Sequence, residues 1–309
     1  MALGLGLGLQ FRRNNVGGFN GLFDQFGYPA FGASMRLLGI NYTGGLVRVR
    51  AFDGVSDQGT ADVMPYLIGS EYWVDLNSTL ENLDATATGR GLTTSDTLAD
   101  LVDAGGANYD GFVTTWFDQS GNANDATQTS ASAQPKIVDA GVLVEENGEP
   151  AILPDGVDDV FVIANSIGLL LSAFIVAQIG ADAVDDEIIS NSSGNEYIAI
   201  KTNRYVYRTS GSYNPFDFTS NKTYSLASII AEGSSNPRSI SCYENSIIST
   251  DSPLSLDALN LNANSVILGD GNDNYYPNKV QEIIIYNSDQ SSNRTGIETN
   301  INNHYNIYP

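Results

Sequence analysis

The sequence predicts an all-β sandwich with Greek-key or jelly-roll connections, and three observations carry that prediction. Charged residues make up only 16% of the 309-residue chain, below the usual ~25%, whereas 31 Gly, 10 Pro, 12 Phe and 16 Tyr favour strands and turns. Short apolar runs recur between clusters of Gly, Asn, Asp and Ser, at the spacing of a sandwich. Helical periodicity is confined to two short stretches. A chain of this length can bury about 75% of its unfolded surface, so one large core is within reach.

At the start, Leu3, Leu5, Leu7 and Leu9 alternate with Gly. All four Leu then share one face of an extended strand, and the glycines permit close backbone approach on the other. Such an edge aggregates unless it is paired. It reads either as a docking strand for a neighbouring subunit or as the first strand of the domain's own sheet. The positive charges, Arg12 and Arg13, follow the apolar run, the reverse of a signal peptide. Residues 10–27, rich in Gly and Asn, read as a linker or extended arm. The folded domain is expected over residues 28–309, with 28–135 as its N-terminal accessory portion.

Within the domain, a turn at Tyr42–Gly45 precedes a strand at Leu46–Phe52. A short helix is expected at Asp96–Val102 with Ser95 as N-cap. GFVTTWFDQSGNANDATQ reads as a strand running into a polar loop. From Pro135 onward strands are expected at Pro150–Leu153, Val160–Ala164, Ala173–Ile179, Tyr197–Lys201, Tyr205–Arg208, Tyr224–Ile230, Ser239–Tyr243, Ser265–Leu268 and Val280–Tyr286. The last element is a helix over Ser292–Tyr305, where Ile297, Ile301 and Tyr305 fall on one face and should pack on the sandwich.

Charge narrows the function. Asp and Glu outnumber Lys and Arg 36 to 14, for a net charge of −22. That field repels phosphate backbones and anionic membranes, so neither nucleic-acid binding nor membrane insertion is expected. Neutral glycans and divalent cations stay compatible. One cysteine, Cys242, excludes an internal disulfide and a Cys-based zinc site, and one histidine, His304, near the C-terminus, leaves no plausible Ser/His/Asp arrangement.

Several segments taken together carry a resemblance: VTTWFDQSGNANDATQ, QPKIV, NGEPAILPDGVDD and, near the end, VQEIIIYN with the helix that closes on NNHYNI. The series resembles concanavalin A-like, laminin G-like jelly-roll modules, including those of bacteriophage structural proteins. Residues 33–60 and 113–128 also resemble the start of the arabinofuranosidase B catalytic domain. The phage resemblance implies a virion-surface fibre, spike or capsid decoration protein whose lectin-like domain binds host glycans. Other virion proteins would then be partners through the N-terminal segment, and homo-oligomers, trimers by analogy, would be expected. Two alternatives stand beside it: a glycoside hydrolase related to arabinofuranosidase B, and a structural capsid or vertex protein without a ligand. Catalysis is not the expectation. If the chain is a hydrolase, the resemblance points to Glu196 as one carboxylate and to Asp270 or Asp273 as the other.

Residue chemistry adds its own candidates. Tyr275, Tyr276 and Asn274 share an acidic, Asn-rich loop with Asp273, and Trp73 lies in a turn-flanked strand. Sugars stack on such rings while Asn and Asp hold their hydroxyls. Trp116 alternates with core positions and reads as core. Asp118 and Asp125, with Ser120, Asn122 and Asn124 between them, crowd short acceptors into one loop. Asp155, Asp158 and Asp159 form a second acidic turn, and Asp270 and Asp273 a third. Each reads either as a turn capped by its own amides or as a Ca²⁺ site. No cofactor other than Ca²⁺ is in question.

Overall fold

The computed structural model describes residues 19–179, 186–219, 223–269 and 274–309. Leu3, Leu5, Leu7, Leu9, Asp270 and Asp273 therefore lie outside the described residues. Within them the chain is a β-sandwich with a short C-terminal helix, as expected.

Two antiparallel sheets form the sandwich. One has seven described strands, in the spatial order Phe31–Ser34, Val280–Tyr286, Ser172–Gln178, Tyr224–Glu232, Arg238–Glu244, Ile247–Ile248, with Leu254–Leu256 also on Arg238–Glu244. The other has thirteen described strands and runs from Ser212–Asp217 through Tyr197–Lys201, Asp186–Ser190, Ser265–Ile267 and Phe161–Ile163 to Asp110–Trp116, Val47–Phe52 and Asp57–Val63.

Side-chain alternation explains why some strands read as unbroken apolar runs. In Ser172–Gln178, Ala173, Ile175 and Ala177 face the sandwich interior, while Phe174 and Val176 face outward into a second cluster. Val280–Tyr286 does the same, with Ile283 and Ile285 inside and Ile284 and Tyr286 outside. The seven-stranded sheet is thus buried on both faces, a condition that selects near-continuous β-branched sequence. Its outer face is covered by the helices Leu22–Phe26 and Arg294–Tyr305, which contribute Leu22, Phe23, Ile297, Ile301 and Tyr305. In the thirteen-stranded sheet the strand Val47–Phe52 shows the half-buried pattern instead. Val47, Val49 and Ala51 point into the core, and Arg48, Arg50 and Phe52 point out.

A buried polar group ties the helix layer to the sheet. Arg36 pairs with Glu282 through Nε–Oε2 at 2.8 Å and Nη2–Oε1 at 3.1 Å, and its Nη1 donates to Asn300 Oδ1 of the helix at 3.0 Å. Ser34 Oγ donates to the same carboxylate at 2.8 Å. Such a pair contributes modest net stability but is costly to break on one side.

The structure corrects four expectations. Leu22–Phe26 is a helix with Leu22 and Phe23 buried, so the expected arm does not extend to residue 27. Residues 28–135 are no accessory portion. Phe31–Ser34 pairs with Val280–Tyr286, and Val47–Phe52 and Asp110–Trp116 belong to the same sheet as Phe161–Ile163. The expected helix at Asp96–Val102 is shorter, Leu98–Leu101, and its N-cap is Thr97 rather than Ser95, because Thr97 and Asp100 satisfy each other's amides in a capping box. Helix Ala85–Gly89 was not expected; Asp84 caps it through a 2.8 Å bond from the Ala87 amide.

Candidate functional site

Among the described residues, the helices Leu22–Phe26 and Arg294–Tyr305 lie on the seven-stranded sheet, and no helix covers the outer face of the thirteen-stranded sheet. Its strands place outward-facing charged and aromatic groups at regular spacing, because alternate residues of a strand share a face.

Asp118 and Asp125, both candidate metal ligands, are committed to the backbone. Asp118 Oδ1 accepts the Gly32 and Ser120 amides, each at 2.9 Å, and its Oδ2 accepts the Asn124 amide at 3.0 Å and the Ser120 hydroxyl at 2.6 Å. Asp125 Oδ1 accepts the Asp118 amide at 2.9 Å. Burial raises the Asp125 carboxyl above its ordinary range. Gln119 adds a two-way bond, accepting from the Leu38 amide at 2.8 Å and donating to the Arg36 carbonyl at 2.9 Å. Asn122 and Asn124 donate to the Pro29 and Ala30 carbonyls at 3.0 and 2.9 Å. The DQSGN loop is therefore a clamp. It leaves a strand of one sheet and satisfies the backbone flanking the first strand of the other.

Asp155, Asp158 and Asp159 are the one group of carboxylates among the described residues whose possible ligand atoms all lie within 4.8 Å of one another. Amides already reach two of them. Asp155 Oδ1 accepts from Val157 at 2.8 Å and Asp158 at 3.3 Å, and Asp159 Oδ2 accepts from Asp155 at 2.8 Å. Burial, and then the charges of Asp155 and Asp158, push the Asp159 carboxyl up to about 7. The turn is held by its own amides, and these three carboxylates are the ones that could hold a cation.

Of the expected ligand contacts, Tyr276 is a core residue. It is fully buried and its hydroxyl donates to the Gln178 carbonyl at 2.6 Å, so it offers no surface to a sugar. Tyr275 is half-buried and bridges to Gly269, and Asn274 is exposed. Trp73 is half-buried with its ring against His304, centroids 5.1 Å apart. Trp116 is fully buried, as expected.

Glu196 ends a turn built around Asn191, whose Oδ1 accepts the amides of Ser193, Asn195 and Glu196 at 3.2–3.4 Å. Its Oε2 accepts the Asn260 amide at 2.9 Å. The residues that flank the late acidic loop lie elsewhere. Leu268 bonds Ile188, and Asn274 Nδ2 donates to Glu187 Oε1 at 3.4 Å. Glu187 is paired with Ala199 across the ladder. Glu196 precedes that neighbouring strand, three residues before Ala199, at the end of the Asn191 turn. The carboxylate beside the flank of the late loop is thus Glu187, which the sequence reasoning missed. It is buried.

No protein-family model and no curated protein matches the sequence. Solved structures do. An arabinofuranosidase complexed with arabinofuranosyl-α-1,2-xylobiose matches at TM-score 0.56 and 14% identity, over 91% of this chain and 64% of that one. A GH54 α-L-arabinofuranosidase soaked with 4-nitrophenyl α-L-arabinofuranoside matches at TM-score 0.58 and 13% identity, with the same coverage. A Trypanosoma rangeli sialidase matches at TM-score 0.44 and 12% identity over 62% of this chain and 31% of that one, too slight a likeness to build on. The chain spans 64% of the length of the arabinofuranosidases it matches. What these findings support is the fold: a β-sandwich of the kind seen in glycoside hydrolases.

Proposed function

We propose that this chain is a carbohydrate-active protein of the arabinofuranosidase type, acting on an L-arabinofuranoside near Glu187 and the late acidic loop. The supporting observation is the likeness to arabinofuranosidases over 91% of the chain. The Asn274–Glu187 contact adds a local one, since it brings a carboxylate to the residue that follows Asp273. A retaining glycosidase needs two carboxyl groups about 5–5.5 Å apart, an inverting one about 6.5–9.5 Å. Glu187 is the glutamate on this side of the ladder, and Asp273 or Asp270 would be its counterpart. This reading replaces Glu196, whose carboxylate already holds the Asn260 amide.

A second reading is glycan binding without hydrolysis, as in a virion-surface attachment protein. One observation favours it: Glu187 is buried and Glu196 is engaged, so neither glutamate stands open to a substrate. In that reading the Leu3–Leu9 segment would join other virion proteins.

The experiment is turnover of 4-nitrophenyl α-L-arabinofuranoside by the purified chain, compared with Glu187→Gln and Glu196→Gln. Turnover lost in Glu187→Gln and kept in Glu196→Gln supports the first reading. Binding of the glycoside with no turnover supports the second. Neither binding nor turnover overturns both.

A further inference from the structure

Several strands across the thirteen-stranded sheet from Glu187, two hollows meet at Phe112 on its outer face. One, of about 350 Å³, runs past Lys136 and Leu153 to Asp155 and Asp159. The other, of about 600 Å³, runs past Phe52 to Asp57. They share Phe112 and Ser132. Both fall within the size range of small-molecule sites, and together they make an elongated trough rather than a closed pocket.

The floor is fixed. Phe112 lies on the outer face of Asp110–Trp116, with Phe52 on the neighbouring strand at 6.4 Å between ring centroids. The Arg50 guanidinium lies 4.9 Å from the Phe112 ring centre and the Lys136 ammonium 5.8 Å. Each cation is already spent on the protein. Arg50 bonds Asp57, Gln134 Oε1 at 2.7 Å and the Ala131 carbonyl at 3.1 Å. Lys136 Nζ sits 3.0 Å from Asp110 and 2.6 Å from Asp139. No cation in the trough is left for an anionic ligand, and the net charge of −22 repels one. Outward carboxylate edges remain, on Asp57 and Asp139, whose side chains are 58% and 65% exposed. These accept hydroxyl protons. Ser132 donates or accepts, and Phe112, Phe52 and Leu153 offer apolar surface. A long trough with fixed aromatic surface, paired charges and hydroxyl acceptors fits a neutral polyhydroxylated chain.

We propose that this trough binds a neutral polysaccharide strand across Phe112, at a site separate from the Glu187 region. The proposal rests on the carbohydrate reading above, and extends it from a terminal sugar to the polymer that bears it.

The test is affinity electrophoresis of the full chain in gels containing soluble arabinoxylan, arabinan or no polymer, with oligolysine as a competing cationic probe. Wild type, Phe112→Ala and Phe112→Leu are compared after their melting curves are shown to match. The expected result is retardation by at least one neutral polymer, weakened about tenfold or more in Phe112→Ala and less in Phe112→Leu. Binding of 4-nitrophenyl α-L-arabinofuranoside to wild type is measured in parallel. If that glycoside binds while no polymer retards the chain, or Phe112→Ala is retarded like wild type, the trough proposal fails and the carbohydrate reading stands. If neither glycoside nor polymer binds, both fail. Capture of oligolysine alone, lost in Phe112→Ala, also overturns the proposal, since the trough would then be a cation site.

Discussion

Arg36 and Arg50 make the same kind of ion pair in two different places. Arg36 meets Glu282 between the seven-stranded sheet and its helices, where both side chains are almost fully buried, 6% and 0% exposed. Arg50 meets Asp57 on the open face of the other sheet, where the carboxylate side chain is 58% exposed. Burial makes the first pair a condition of the fold, because either partner alone would be an uncompensated charge. In the second, water reaches the carboxylate, and Gln134 and the Ala131 carbonyl still hold the buried Arg50 without it, so the pair costs less to lose. On the covered face polar groups hold layers together; on the face around Phe112 the carboxylate edge of Asp57 stays exposed to solvent.

The difference is open to measurement. Arg36→Ala strands Glu282 and should cost about 3–5 kcal/mol, read as a lower midpoint in urea. A loss under about 1 kcal/mol would mean that the covered pair is no more structural than a surface one. Asp118→Ala should cost about 3 kcal/mol, because the Gly32 and Asn124 amides lose their acceptor within the clamp. Asp125→Ala, which removes one bond, should cost less in the same assay.

Asp159 gives the pH dependence. Its folded pKa near 7 lies above the unfolded carboxylate value near 4. The folded chain therefore holds a proton that the unfolded chain has released, and stability falls as pH rises from about 4 to 7 and then levels. Glu149, raised to about 7 chiefly by burial, acts in the same direction. Asp159→Asn should remove part of that slope and stabilise the chain by about 1 kcal/mol at pH 8, after discounting for the water that still reaches the turn. An unchanged slope would mean that Asp159 ionises normally. The smallest effect belongs to Asp57→Ala, expected within about 0.5 kcal/mol. A large loss there would erase the contrast between the faces.

Which features the sequence showed follows from the same contrast. Tyr197–Lys201 and Val280–Tyr286 were legible to the residue, because β-branched runs end sharply at polar turns. The C-terminal helix was legible from Ile297, Ile301 and Tyr305 on one face. Asp57–Val63 was missed because its side chains are polar and Gly59 interrupts it. That glycine has φ +115°, and a Cβ there would lie 2.5 Å from the Ala87 amide nitrogen. Helix Leu22–Phe26 hid among glycines. At the candidate site, Asn274 and Tyr275 were placed at a surface loop, but Tyr276 belongs to the core because the chain turns inward directly after the acidic stretch. Glu187 was invisible for a different reason. Its partner Asn274 is 87 positions away, and no local pattern carries a contact that strand pairing alone creates. The DQSGN segment was readable as a turn, but not as a clamp between sheets, since its acceptors and donors at residues 29–38 are equally remote.

The central claim is that carbohydrate is recognised on the thirteen-stranded sheet. Crystals of the full chain soaked with an arabinoxylan oligosaccharide test it most directly. The account predicts sugar density on that sheet, with a terminal arabinofuranosyl unit near Glu187 and Asn274 or a xylan strand across Phe112. Sugar bound against the helices Leu22–Phe26 and Arg294–Tyr305, or no sugar at any soak concentration, would contradict it.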